Sequence, residues 1–296
     1  MSARDTDRCS DVIVEPLPGS AKQESVYVVL EHPGGWSHDI LDGDTFGEEL
    51  TARLKDFLKR NGAGLQLVRH PGRDGHRITR PRLFVVWAAL GVTEMMVVDG
   101  PEDIVRLDLS APGRNDDLGA QEIDQPLILV CTHGKRDVCC AIKGRPLAAT
   151  LADAALDVSP IPIVWETSHT KGHRFAPSIL LLPWGYSYGR LNEEASLAML
   201  NAVRSGFYFW PGNRGRGLYG PRGQVAELAI ARLLLAEGER LRFGELQAED
   251  GLVTHSDGRR WRVELSEQEV HGVVASCGKP PKDGTVWVAS GVAELG

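Results

Sequence analysis

Two cysteines and two histidines stand close together near the middle of this chain, in CTHGKRDVCC, which begins at Cys131, and in SHTKGHRFAP, which carries His169 and His173. Read as C-x8-C followed by H-x3-H, residues Cys131, Cys140, His169 and His173 make a four-donor metal site. Soft thiolates paired with borderline imidazoles suit iron in an iron–sulfur cluster, or zinc, and suit magnesium or calcium poorly. Cys139 adjoins Cys140, so on spacing alone either could be the second thiolate. His133 lies inside the same segment and reads better as a hydrogen-bonding neighbour than as a ligand. The histidine pair lacks the glutamate of H-E-x-x-H: Thr170, Lys171 and Gly172 stand between the rings, and Glu166 lies outside the motif. Zinc hydrolysis is therefore not expected. A structural zinc site stays as an alternative, although zinc fingers use short C-x2-4-C spacings in domains too small for a core.

The elements around these residues read as α/β. ESVYVVLEH is a valine-rich buried strand. A helix follows from Thr45 to Asn61, with Phe46, Leu50, Leu54, Phe57 and Leu58 on one face, Thr45 and Glu48 as a capping box, and Asn61-Gly62 as its stop. LQLVRH, PRLFVVWAAL and TEMMVVD are further strands, and IVRLDL a short one. The polar stretch from Ala111 to Ala120 marks a boundary. PLILVC then runs straight into Cys131, which places the first thiolate at the carboxyl end of a strand, where ligand sites of α/β folds lie. GRPLAATLADAAL reads as a helix, IPIVWET and SILLLPWG as strands, Asn192 to Ser205 as a helix capped by Asn192, and the stretch from Pro221 as another with proline at its first position. After it the texture alternates, with Asp257-Gly258 at a hairpin, as in a small antiparallel sheet. The expected division is 1–115, an N-terminal α/β half; 120–238, the cysteine-bearing domain; and 239–296, a β-rich appendage. No repeat of 20 to 50 residues is evident.

Composition narrows the function classes. The 296 residues are 42% hydrophobic and 25% charged, ordinary for a soluble protein with cores of its own. A net charge of -7 argues against nucleic acid as a partner. MSARDTDRCSDVIVEPLPG has no signal-peptide core, and the apolar stretch from Phe84 to Val98 is broken by Thr93 and Glu94, so no membrane is expected and the cytoplasm is the expected compartment. Five cysteines, two of them adjacent, are a poor disulfide framework and point to metal or redox use. Cys9 and Cys277, far from the motif, read as structural.

CTHGKRDVCC with SHTKGHRFAPSILLLPWGYSYGRL, together with EPLPGSA, LEHPGGWSHDIL and RGLYGPRGQVAE, resembles the signature of the sucrase/ferredoxin-like family over roughly residues 9–230. The resemblance implies a thioredoxin-like ferredoxin domain and a [2Fe-2S] cluster held by Cys131, Cys140, His169 and His173. Where that family has Arg-Cys-Gly and His-x-Gly-Gly-His, this chain has Cys139-Cys140-Ala141 and His-Thr-Lys-Gly-His. No carboxylate pair stands out for sugar cleavage. The expected protein is an electron carrier serving a redox partner protein rather than an enzyme with a substrate of its own. Two neutral imidazoles on one iron would raise the potential above that of an all-cysteine centre and make it depend on pH. The rival readings are a thiol-redox protein using Cys139, Cys140 or Cys131, although C-x-x-C is absent, and a zinc-stabilised interaction module. Lys135, Arg136, Lys171 and Arg174 could offset cluster charge or meet a partner, Asp137 could orient the loop, and Ala176-Pro177 sits where thioredoxin-like folds place a cis-proline. Trp165, Trp184 and Tyr188 read as core aromatics, and the basic run Arg69 to Arg82 as a solvated loop.

Overall fold

The computed structural model describes residues 8–72, 75, 78, 80–155 and 161–295. They form two compact units, one made of Glu24–Thr170 with Ile179–Gly185, the other of the N-terminal stretch to Gln23, Lys171–Ser178 and the chain from Tyr186 onward. Residues on both sides of the polar stretch 111–120 thus share the first unit.

The first unit follows the order β1 (Val26–Glu31), α1 (Glu48–Asn61), β2 (Ala63–Arg69), β3 (Arg82–Trp87), β4 (Val92–Val97), β5 (Gln121–Glu122), β6 (Leu127–Cys131), α2 (Val138–Ala154), β7 (Val164–Thr167) and β8 (Ser178–Leu182). The strands make one large mixed sheet in the order β8-β6-β7-β2-β1-β3-β4-β5. Its central strands are continuous runs of branched apolar residues because both faces are covered, and every residue of β6 is buried. Helix α1 lays Leu50, Leu54, Phe57 and Leu58 onto the core, together with Val28, Leu67 and Val85 of the sheet, and ends at Gly62, whose φ of 57° is the left-handed conformation glycine adopts without cost. The expected capping box is absent. Gly47 is the N-cap and makes no side-chain cap, because Thr45 Oγ1 is engaged by Ser37, accepting from its amide at 3.1 Å and sharing a hydroxyl bond with its Oγ at 2.5 Å. The expected strand at IVRLDL is a 3-10 turn, Pro101–Arg106, with proline at its first turn and Asp103 Oδ2 accepting from the Asp99 amide at 3.0 Å.

This sheet contains the same motif twice. β1 and β2 are parallel around α1, with β3 antiparallel beside β1; β6 and β7 are parallel around α2, with β8 antiparallel beside β6. The halves join edge to edge where β2 pairs antiparallel with β7, Val68 opposite Thr167. Glu31 faces Val68 as Cys131 faces Thr167, so Glu31 holds in the first half the place that Cys131 holds in the second. Its buried carboxylate accepts from Arg82 N at 3.1 Å and pairs with Arg82 Nη1 at 3.4 Å.

The second unit contains β9 (Tyr186–Gly189), α3 (Glu193–Arg204), β10 (Asn213–Arg216), α4 (Pro221–Ala236), β11 (Leu246–Glu249), β12 (Leu252–His255), β13 (Arg260–Val273) and β14 (Lys282–Leu295). β9 and β10 pair antiparallel, and β11 to β14 form a separate four-stranded antiparallel sheet. Helix α4 packs against the strands of that sheet. Asn192 caps α3, its side-chain oxygen accepting from the Ala195 amide at 2.9 Å, and Pro221 opens α4. His271 to Val273 complete β13. No described helix is long and apolar enough to cross a membrane.

Candidate metal centre

Chain direction brings the first thiolate and the first imidazole to one place. β6 and β7 are parallel, Cys131 opposite Thr167, so both carboxyl ends open on the same edge of the sheet. β6 ends at Cys131, and two residues beyond the end of β7 comes His169. Between them the chain turns directly into α2, which starts at Val138 and not near Gly144. Asp137 is the cause of the early start: its side chain accepts from the Cys139 amide at 3.0 Å as a true N-cap. Pro146, which as a sequence signal marks a first turn, lies well inside the helix. Cys139 and Cys140 therefore sit in the first turn of a helix.

Within this turn Cys140, rather than Cys139, meets Cys131: the Cys140 thiol donates to Cys131 Sγ, which also accepts from the His169 ring and the His133 amide. The Cys140 hydrogen bond leads in holding the Cys131 thiol well below the usual range, against burial that works the other way. Cys140 is pushed up, because the proton it shares with Cys131 is hard to remove while that thiolate lies beside it. Cys131 and Cys140 are 0% and 1% exposed, and His169 is half-buried. The helix also rides very close on its strand: a Cβ on Gly144 would lie 2.1 Å from the Cys131 carbonyl oxygen.

His173 belongs to the second unit. It opens a 3-10 turn, His173–Phe175, and its Nε2 is 2.7 Å from Ser276 Oγ. Lys171 and Gly172, which lead to it, both have left-handed backbone, with φ of 62° and 106°. Arg214, a residue the sequence gives no reason to single out, shapes this segment: it is 1% exposed, donates to Lys171 O at 3.0 Å and Ser178 Oγ at 3.2 Å, and lies 4.6 Å from the centre of the Phe175 ring. The Ala176-Pro177 bond is cis, as is Leu182-Pro183.

The remaining flanking residues have structural partners. His133 is buried, with Nε2 2.7 Å from Ser37 O and its ring edge-on to Trp36, and burial holds it below the ordinary histidine range. Arg174 is neutralised by Glu15, with both carboxylate oxygens at 2.5 and 2.8 Å. Arg136 lies 3.6 Å from Asp39. Lys135 and Lys171 are both exposed. Of the basic run, Arg69 pairs with Glu166 at 2.8 Å and Arg82 with Glu31, while residues 73, 74, 76, 77 and 79 lie outside the described residues. Trp165 and Tyr188 are fully buried. Among the described residues there is no disulfide, but Cys9 and Cys277 meet in the second unit with sulfurs 3.6 Å apart and are among the side chains able to hold a metal ion.

Comparison with curated proteins and with solved structures gave no match. The sucrase/ferredoxin-like family model matches residues 17–212, a span that takes in both strands of the thiolate–imidazole knot and most of the chain. With Cys131 closing a strand, Cys140 in the first helical turn and His169 beyond the parallel strand, the chain belongs to the sucrase/ferredoxin-like family.

Proposed function

We propose that the chain is an electron-transfer protein and that Cys131, Cys140, His169 and His173 hold a [2Fe-2S] cluster. The observation that carries this reading is the meeting of two thiols and an imidazole at Cys131. The donor set fits the group: sulfur is the ligand for which iron–sulfur chemistry selects, and imidazole is the neutral partner that makes a centre less negative. When bound, such a cluster supplies one-electron redox chemistry.

The residues do the rest. Three hydrogen bonds aim Cys131 and favour its anionic form. Asp137 fixes the start of α2 and with it the direction of Cys140. The two buried thiols keep water away from the sulfur side, whereas half-buried His169 gives a redox partner protein its closest approach.

The test is visible absorption with iron, zinc and acid-labile sulfide analysis on protein purified without oxygen. Iron and sulfide in equal amounts, with strong visible absorption, are expected. Cys140→Ser should abolish the colour and Cys139→Ser should leave it; His169→Ala and His173→Ala should each change it. Zinc in place of iron, or colour that survives Cys140→Ser and not Cys139→Ser, would overturn the assignment.

A further inference from the structure

Cys9 and Cys277 are separated by nearly the whole chain yet lie in contact within the second unit. Their sulfurs are 3.6 Å apart, and the Cys9 amide points at Cys277 Sγ from 3.5 Å. Cys9 is fully buried at the head of the 3-10 turn Cys9–Asp11; Cys277 is half-buried in the connection between β13 and β14. The same connection carries Ser276, which bonds His173, and the Cys9 turn packs on the turn His173–Phe175. Nothing in the family match reaches this arrangement, since residues 9 and 277 both lie outside 17–212.

We propose that Cys9 and Cys277 form a reversible disulfide that latches the β13–β14 connection onto the N-terminal turn and the His173 segment. The sulfurs are already at van der Waals distance, 3.6 Å, and bonding brings them to about 2 Å. The oxidant is a small-molecule disulfide such as oxidised glutathione. The Cys277 thiolate, the reachable one and the one that receives the amide hydrogen bond, attacks a glutathione sulfur and releases one glutathione thiolate. Cys9 then attacks Cys277 Sγ, breaks the mixed disulfide and releases the second. Two protein thiols lose two electrons and two protons, and oxidised glutathione becomes two reduced molecules. The buried member thus resolves and the accessible member captures. This step is independent of what Cys131, Cys140 and the histidines bind.

The full-length protein, with whatever metal it carries, is equilibrated in glutathione buffers from reducing to oxidising, alkylated, and mapped by peptide mass spectrometry. The expected result is loss of the Cys9 and Cys277 thiols together, a cross-link between their two peptides within one chain, and full reversal by dithiothreitol. Cys9→Ser should instead accumulate a glutathione adduct on Cys277, and Cys277→Ser should leave Cys9 without one. Cys9 and Cys277 alkylated at every poise, or linked only to other cysteines or to a second chain, would overturn the proposal. Wild-type mapping decides the question even if a variant fails to fold.

Discussion

The backbone at Lys171 is left-handed, at φ 62°, and so is that at Gly172, at φ 106°. An L-residue in that conformation costs about 1 kcal/mol that glycine does not. Gly172 cannot vary, because a Cβ there would lie 2.5 Å from an Arg214 guanidinium nitrogen. Lys171 has no such constraint: its side chain is exposed, and in the family signature this chain resembles, the position is a glycine. Lys171→Gly should therefore raise stability by up to about 1 kcal/mol, read as a higher urea midpoint, with the metal content unchanged. A lower midpoint would mean that the lysine side chain holds the segment more firmly than its backbone strains it. Arg214 shows what a sequence conceals at this scale. Its oxygens come from Ser20, Lys171 and Ser178, residues with no spacing rule to connect them, and an arginine amid glycines reads as a surface charge until the fold surrounds it.

Elements decide which donors can meet. The end of β6 at Cys131 was legible because a buried strand announces itself by composition, and parallel β6 and β7 bring His169 to the same edge. The start of α2 was not, since Pro146 is the stronger helix-start signal in one dimension and Asp137 reveals itself only when its carboxylate caps the Cys139 amide. That early start separates the two adjacent cysteines by about 100° of helical rotation, so Cys140 turns to Cys131 while Cys139 does not. The strand–helix–strand pattern of the first half recurs in the second and is legible as such, but the halves share strand order and burial, not residues, and Glu31 with Arg82 stands in place of the cysteine chemistry of the other half. The most exacting contact between elements is Gly144 on the Cys131 carbonyl. Gly144→Ala must lift α2 from β6, which should cost roughly 1 to 3 kcal/mol and carry Cys140 away from Cys131. Lower thermal stability together with lower bound metal per chain is the expected outcome. An alanine variant with wild-type stability would show that the helix can shift without penalty.

At the scale of the molecule, pH stability is governed by a charge that the sequence counts but does not locate. Glu227 is one of the 40 acidic residues, yet it is fully buried in α4 of the second unit. The Tyr186 hydroxyl donates to its Oε1, and Oε2 has no hydrogen-bond partner. Burial raises its pKa from an ordinary 4.5 to about 7, against the lowering effects of the Tyr186 hydroxyl and Arg216. The neighbouring phenols of Tyr186, Tyr188 and Tyr208 are themselves pushed well up by burial and by Glu227, so they keep their protons throughout. Between pH 4.5 and 7 the folded chain retains a Glu227 proton that the unfolded chain has released, so stability falls as pH rises through that window, by about 3 kcal/mol from this group, and is level above it. Glu227→Gln keeps an oxygen to accept from Tyr186 and has nothing to ionise. Its urea midpoint should lack that decline and should exceed the wild-type value at pH 8 while approaching it at pH 5. Parallel pH profiles for the two proteins would mean that Glu227 is already ionised in the folded state below pH 5, held there by Arg216 more strongly than burial opposes it.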